Sequence, residues 1–185
     1  MKHLLKPLEP PFSPDIEAIL ARYPRTKSGY LLRLFRLFAN STRFLTDKGV
    51  ANLLDTESPL SLREREIVIL RTTANKNCEY EWGIHVSIFS RQADLTEEQV
   101  AATRTGDPNV ACWPEDDRLL IHCVDDICQY AKIQEKNYAA FQDHWTAEQQ
   151  LEILSLCGNY HTISFVANSA RLENEEIGAR FPASC

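Results

Sequence analysis

The sequence has no long apolar run and no block of basic residues. An apolar run of about 18 residues or more predicts a transmembrane helix, and none occurs among the 185 residues. Clusters of Lys and Arg, which are typical of nucleic-acid-binding surfaces, are also lacking, and the formal net charge is −6. The basic N-terminus is not followed by the apolar segment of a secretory signal. We therefore expect a cytoplasmic protein with no membrane partner and no nucleic-acid partner.

Proline is scarce in most of the chain. The prolines leave three long windows free of this residue, at 25–58, 60–107 and 115–181. Because a proline inside a helix costs about 3 kcal/mol, these windows are where long helices are expected. The alternation of apolar and polar residues that is typical of strands is nowhere sustained. The sequence therefore predicts an all-α fold with no sheet.

Signals for the start of a helix divide these windows into about nine helices. Ser13 precedes Pro14, which is a favourable arrangement for a first turn. Capping boxes, in which a Ser or Thr is followed three residues later by Glu or Gln, begin at Ser61, Thr96 and Thr146. The predicted helices span residues 14–23, 28–39, 42–54, 62–74, 78–92, 97–104, 115–131, 135–144 and 147–172.

The length is usual for one compact domain. We expect residues 1–12 to form an extended N-terminal arm and residues 13–185 to form a single all-helical domain. The arm contains several large apolar side chains, so we expect it to pack on its own domain or on a neighbouring subunit.

The six cysteines include no Cys-x-x-Cys pair. Structural zinc sites built on thiolates usually have such paired spacing, so no metal site is expected. Scattered cysteines in a cytosolic chain are more often buried, reduced thiols than a disulfide framework.

One group of polar residues lies in an otherwise apolar region. Cys78, Glu81 and His85 have the spacing i, i+3 and i+7, which places them on one face of a helix. Glu66 lies on the preceding predicted helix, and the polar break at residues 75–77 predicts a tight connection between antiparallel helices. At 1.5 Å per residue, Glu66 and His85 both lie about 15 Å from the centre of this connection. We therefore predict that Glu66 contacts His85.

Such a contact has two interpretations. A Glu that bonds to a ring nitrogen fixes the imidazole tautomer and raises its basicity, which prepares a proton shuttle. A purely structural contact between packed helices is the alternative, and it is the commoner case. Cys78 opens its helix, where a thiolate is stabilised, but the nearby Glu79 and Glu81 raise a thiol pKa. Gly83, on the opposite side of this helix, is expected to let another helix approach closely.

These residues resemble the signature of the carboxymuconolactone decarboxylase family, which also contains the alkylhydroperoxidase D-like (AhpD-like) proteins. The resemblance is best from Ser61 to about Gly106. It implies an AhpD-like helical bundle that assembles as a homo-oligomer (dimer, trimer or hexamer) with active sites near subunit interfaces. The resemblance is carried by Leu62-Arg63-Glu64-Arg65-Glu66, by Tyr80-Glu81-Trp82-x-x-His85 and by Leu95-Thr96-Glu97-Glu98-Gln99-Val100.

The peroxidase branch of this family carries a Glu, a Cys-x-x-Cys pair and a His four residues after the second Cys. Glu66, Cys78 and His85 match this pattern, but Glu81 replaces the second cysteine. Disulfide-based peroxide reduction uses one thiol that is oxidised and a second that resolves it. A hydroperoxide reductase would therefore need Cys78 together with a distant cysteine or an external thiol.

The decarboxylase branch lacks the dithiol and acts on a small lactone without a cofactor. The resemblance implies that His85 donates a proton or a hydrogen bond to the lactone, that Glu66 orients His85, and that Glu81 positions substrate or joins the proton relay. We expect a cofactor-independent, decarboxylase-like enzyme acting on a small lactone or keto acid; the alternatives are the peroxidase using Cys78 and a non-catalytic, ligand-binding oligomer. Arginines at positions 63, 65 and 71 could offset the charge of Glu81 beside an acidic substrate. The candidate substrate-binding residues are Tyr80, Trp82, Arg63 and Arg71.

Overall fold

The computed structural model describes residues 6–40, 42–46, 58–105 and 110–182, and every regular element in these ranges is a helix. The all-α prediction is thereby confirmed, and no strand occurs in the described ranges. None of the described helices is long and apolar enough to cross a membrane. The helices are α1 (Pro14–Leu20), α2 (Arg33–Phe38), α3 (Thr42–Leu45), α4 (Leu62–Asn75), α5 (Glu79–Phe89), α6 (Glu97–Thr105), α7 (Glu115–Tyr130), α8 (Glu135–His144) and α9 (Ala147–Ser169).

The three predicted capping boxes are formed. The Glu64 backbone N–H donates to Ser61 Oγ at 3.2 Å, and the Ser61 N–H donates to Glu64 Oε2 at 2.8 Å. The same reciprocal exchange occurs at Thr96 and at Thr146. Each box satisfies two backbone donors that a helix start leaves without an intrahelical partner. These local bonds fix where α4, α6 and α9 begin.

The predicted helix at 28–39 was wrong in its first part. Helix α2 starts only at Arg33, because the residues before it form a turn that Thr26 closes by donating its N–H to the Tyr30 carbonyl. Gly29 in this turn has a φ of +82°, which glycine adopts easily and a helix excludes. Of the predicted helix at 42–54 the structure describes only α3, and residues 47–57 lie outside the described residues.

Helix α4 is the centre of the bundle. It packs against α5, α6, α7 and α9, and all its residues from 66 to 74 are buried. Most of them are apolar, but Glu66 and Arg71 are among them. A buried charge is costly unless it is paired and hydrogen-bonded, so each of these two side chains requires a partner from a neighbouring helix.

The segments at the two ends of the chain pack on this bundle. Leu8 donates its backbone N–H to the Arg36 carbonyl on α2 at 3.0 Å. After α9, an extended segment runs along α5, where Ala179 donates its N–H to the Gly83 carbonyl at 3.0 Å. The close approach predicted at Gly83 therefore exists, but the partner is extended chain and not a helix. The division into an arm of residues 1–12 and one domain stays a prediction, since residues 1–5 and 183–185 lie outside the described part.

Candidate active site

Glu66 on α4 and His85 on α5 face each other across the tight connection between the two helices. Glu66 Oε2 lies 2.8 Å from His85 Nδ1, and both side chains are buried. Asn77 adopts a left-handed conformation with a φ of 52°, and the Cys78 N–H bonds back to the Thr73 carbonyl. The contact predicted from the spacing of these two residues is thereby confirmed.

The other ring nitrogen of His85 also has polar neighbours. His85 Nε2 lies 3.2 Å from the Tyr160 hydroxyl on α9 and 3.5 Å from Glu81 Oε1 one turn earlier on α5. Burial by itself lowers the pKa of His85, but the charge and hydrogen bond of Glu66, followed by those of Glu81, outweigh burial and raise the pKa to about 10. His85 is therefore an imidazolium at neutral pH, with a carboxylate on each side.

Tyr160 completes the surroundings of this ring, and sequence reasoning did not assign it a role. Its ring meets the imidazole edge-on, with centroids 5.2 Å apart. Burial, then the charges of Glu81 and Glu66, hold the pKa of Tyr160 well above its usual value, so it remains a phenol. The sequence offers one weak signal, because Glu66-Ile67-x-x-Leu70 on α4 resembles Glu152-Ile153-x-x-Leu156 on α9, the helix that carries Tyr160. His161, the next residue, instead bonds to the Cys157 carbonyl.

The side chains of Glu66, Glu81, His85 and Tyr160 lie in the wall of a cavity of about 490 Å³. A cavity of this size suits a small organic molecule. Among the described residues, Arg65 and Ser58 are the other polar ones in the lining, and Arg65 lies 3.5 Å from Glu152. The remaining wall is apolar and comprises Pro24, Leu32, Leu34, Phe35, Leu60, Leu62, Ile84, Ile88 and Phe89.

The family model for the carboxymuconolactone decarboxylase family matches residues 45–119, a region that contains Glu66, Glu81 and His85. Over this region, which is less than half of the chain, the sequence is similar to that family. The match ends before Tyr160 and begins after the cavity residues Pro24 to Phe35. These three residues thus lie inside the matched region, whereas part of the cavity wall is contributed from outside it.

A solved structure from Agrobacterium tumefaciens supports the fold. It has a TM-score of 0.58 and 20% sequence identity, and the alignment covers 63% of this chain and 80% of the other. That protein is of unknown function, and a role in antioxidant defence of the AhpD kind has been suggested for it. At this identity the likeness establishes the AhpD-like fold alone. No curated protein matches the sequence.

Cys78, the thiol that matches the peroxidase pattern of the family, is fully buried at the start of α5. It is not among the residues that line the cavity. Burial, with a further contribution from the charge of Glu81, raises the pKa of Cys78 to about 11. This residue is consequently a protonated thiol at neutral pH. The described cysteines Cys112, Cys123, Cys128 and Cys157 are also free thiols.

Tyr80 and Trp82 were predicted to bind substrate, but the structure places neither in the cavity wall. The Tyr80 hydroxyl donates to Glu175 at 2.7 Å and accepts the Leu34 backbone N–H at 3.0 Å. Trp82 Nε1 donates to Thr103 Oγ1 at 2.9 Å. Both side chains are buried, and their polar atoms serve contacts within the bundle.

Arg63 and Arg71 were the other predicted substrate-binding residues, and they too lie outside the cavity wall. Arg63 pairs with Asp117 at 2.7 Å. Arg71 binds both oxygens of Asp125, each at 2.7 Å, which gives its buried charge the partner it requires. The arginine that does line the cavity is Arg65. Within the described ranges, no group of three or more His, Cys, Asp or Glu side chains is arranged to hold a metal ion.

Proposed function

We propose that the protein is a cofactor-independent, decarboxylase-like enzyme that acts on a small lactone or keto acid. The observation that supports this most directly is the position of His85 between Glu66 and Glu81 at the wall of the cavity. A decarboxylase of this kind must return a proton to the carbon that loses carbon dioxide. An imidazolium whose pKa is about 10 carries that proton throughout the neutral range.

The proposed reaction begins with a carboxylate placed β to a carbonyl group. When the bond between the carboxylate and its carbon breaks, carbon dioxide leaves and the electron pair moves onto the carbonyl, which becomes an enolate. Tyr160, as a phenol in the cavity wall, can donate a hydrogen bond to the developing enolate oxygen. His85 then donates its Nε2 proton to the enolate carbon, forming the new C–H bond. Water returns a proton to the imidazole, so one proton is consumed for each carbon dioxide released.

Glu66 has a positioning role in this proposal. Its bond to Nδ1 fixes the orientation of the ring, and its charge keeps the ring protonated between turnovers. Glu81 contributes to the same charge balance from the Nε2 side.

The thiol-dependent hydroperoxide reductase has less support as a second candidate. Peroxide reduction needs a thiolate that the peroxide can reach, whereas Cys78 is fully buried and its pKa is raised to about 11.

A non-catalytic, ligand-binding oligomer would use the same cavity without turnover. A cytoplasmic homo-oligomer stays a prediction, and light scattering on the purified protein would measure its size.

The test is release of carbon dioxide from a 3-oxo acid with an apolar body, such as 3-oxooctanoate. We expect the wild type to be active and His85→Gln to lower kcat by about 10²–10⁴-fold, which is the usual contribution of a positioned general acid. His161→Gln is the matched control, because this histidine lies on α9 outside the cavity wall and should leave the rate unchanged. Thermal melting of both variants shows that each is folded.

Equal rates for the wild type and His85→Gln would remove His85 from the mechanism. A wild-type protein that does not turn over 3-oxooctanoate would contradict the decarboxylase proposal and favour the non-catalytic alternative.

A further inference from the structure

The distribution of charge around the cavity limits how many carboxylate groups its ligand can carry. The lining residues that bear charge are two glutamates, His85 and Arg65. The positive charge of His85 is already compensated by the two glutamates, with Glu66 at 2.8 Å and Glu81 at 3.5 Å. Arg65 is therefore the one lining cation, among the residues the structure describes, that is left to receive a carboxylate of the ligand.

Even Arg65 is partly neutralised. It lies 3.5 Å from Glu152, which also accepts a hydrogen bond from Ser58 at 3.0 Å. The two other arginines that could have balanced an acidic ligand are bound to Asp117 and Asp125, outside the cavity wall. Among the described residues, a second ligand carboxylate would therefore find no cation to pair with in this negatively charged, partly buried site. Burying such an unpaired charge is strongly unfavourable.

The rest of the cavity is suited to hydrocarbon. Leu32, Leu34 and Phe35 form one part of the wall, and Ile84, Ile88 and Phe89 on α5 form another. Removing apolar ligand surface from water against such side chains is favourable by roughly 25 cal/mol per Å². The first of these groups comes from a part of the chain outside the region matched by the family model, so the match to the family does not describe this part of the wall.

We propose that the natural substrate is a monocarboxylate with an apolar alkyl or aryl body, and not a dicarboxylate. Since the reaction needs a carbonyl β to the carboxylate, the class is a 3-oxo acid or a lactone carboxylate whose remaining substituent is hydrocarbon. The reactive group of this substrate, a carboxylate β to a carbonyl, is inferred from the proposed function. The preference for one charge and an apolar body rests on the cavity alone, so it can be measured without turnover.

The experiment compares three unreactive probes by isothermal titration calorimetry. Octanoate and octanedioate have the same chain length and differ by the second carboxylate, whereas butanoate keeps one carboxylate and shortens the apolar body. We expect octanoate to bind at one site per chain, at least about tenfold more tightly than either of the others. Arg65→Gln should weaken octanoate binding by a similar factor, because it removes the cation that receives the carboxylate.

A gain-of-function variant keeps the proposal testable if Arg65→Gln fails to fold. Ile88 lines the cavity and is 38% exposed, so Ile88→Lys should fold and add a second cation to the wall. We expect this variant to bind octanedioate at least about tenfold more tightly than the wild type. Leu151→Lys is the matched control, because Leu151 is 69% exposed and lies outside the cavity wall.

Octanedioate binding as tightly as octanoate, butanoate binding as tightly as octanoate, or no binding of octanoate at millimolar concentration would each overturn the proposed substrate class. An Ile88→Lys variant that binds octanedioate no better than Leu151→Lys would also overturn it. Failure of the proposed function is distinguishable, because it leaves these binding ratios intact and abolishes only the difference in turnover between the wild type and His85→Gln.

Discussion

Tyr80 and Glu175 are 95 residues apart in the sequence, and their side chains meet in a hydrogen bond of 2.7 Å. The Glu175 carboxylate also accepts the Arg33 backbone N–H at 2.7 Å and the Tyr30 hydroxyl at 3.0 Å. The Arg33 guanidinium pairs with it at 2.8 Å. This carboxylate therefore joins α5 and the C-terminal segment to the start of α2, which carries part of the cavity wall.

Glu175→Gln is expected to loosen this junction. The substitution leaves the Arg33 guanidinium without its charged partner and replaces one acceptor oxygen with a donor amide. We expect the free energy of unfolding to fall by about 1–3 kcal/mol, and amide hydrogen exchange to increase for residues 30–35. Urea denaturation and hydrogen exchange measured by mass spectrometry test both effects.

Glu176→Gln is the control for this variant, because the neighbouring side chain is exposed and carries the same charge. If the two substitutions have equal effects on stability and on exchange, the junction at Glu175 does not hold α2 in place.

Gly83 gives a second prediction, from packing alone. A Cβ added at this position would overlap the backbone carbonyl oxygen of Ala179, so Gly83→Ala must displace the C-terminal segment. We expect the free energy of unfolding to fall by about 1–3 kcal/mol, as for other overpacked sites, although alanine favours a helix by about 1 kcal/mol over glycine. Thermal and urea denaturation measure the change.

Gly158→Ala on α9 is the matched control for this prediction. No atom lies within 4 Å of a Cβ added there, so the helix propensity of alanine should stabilise the protein by up to about 1 kcal/mol. Two substitutions with the same sign would mean that the C-terminal segment does not pack tightly on α5.

Contacts between residues that are close in the sequence could be predicted, whereas contacts that depend on distant segments could not. The Glu66–His85 contact could be predicted because both residues lie on helices joined by a short connection, so their distances from the turn fix their relative height. Tyr160 reaches the same imidazole from 75 residues away in the sequence, and no local spacing encodes that contact. The pairing of Arg71 is another contact of this kind, since it depends on the position of Asp125 on α7.

The partners of Gly83 and Tyr80 also depend on segments that are distant in the sequence. Sequence reasoning identified Gly83 as a place of close approach, because a glycine inside a helix usually has a packing reason. The identity of the approaching segment depends on how residues after α9 return across the bundle. Likewise, Tyr80 lies in the motif that resembles the family, but its hydroxyl is engaged by Glu175 and by the backbone of α2.

The charge state of His85 gives a prediction about pH. Its pKa in the folded protein is about 10, and the ordinary value in an unfolded chain is about 6.5. Because the folded protein binds this proton more tightly, the stabilisation from His85 is fully present below about pH 6.5 and is lost as the pH rises through about 10. We expect the difference in unfolding free energy between the wild type and His85→Gln to shrink over that window.

A direct measurement is the titration of the histidine ring resonances by NMR. His85 should titrate near pH 10, and Glu66→Gln should lower its pKa more than Glu81→Gln, because Glu66 makes the larger contribution. His161 is an internal control, since burial and then the charge of Lys76 lower its pKa. A His85 resonance that titrates at or below pH 7 would show that the ring is neutral in the folded protein.

The last prediction concerns the reactivity of Cys78. A thiol that is fully buried, with a pKa raised to about 11, presents almost no thiolate at pH 7, and thiolate is the form that attacks peroxides and alkylating reagents. We expect Cys78 to remain unmodified in folded protein treated with hydrogen peroxide or iodoacetamide, and to react in denaturant. Cys112 is half-buried and should be modified before Cys78, which gives mass spectrometry an internal comparison within each sample.

The decisive variant is Cys78→Ser, which keeps the size of the side chain and removes the redox chemistry. If the proposed decarboxylase mechanism is correct, this variant retains the full rate of carbon dioxide release, because none of its steps uses the thiol. Rapid, stoichiometric oxidation of Cys78 in the folded protein would require an opening of α5 that exposes the thiol. Such a result, together with peroxide consumption that Cys78→Ser abolishes, would transfer the catalytic role from the Glu66–His85 pair to this cysteine.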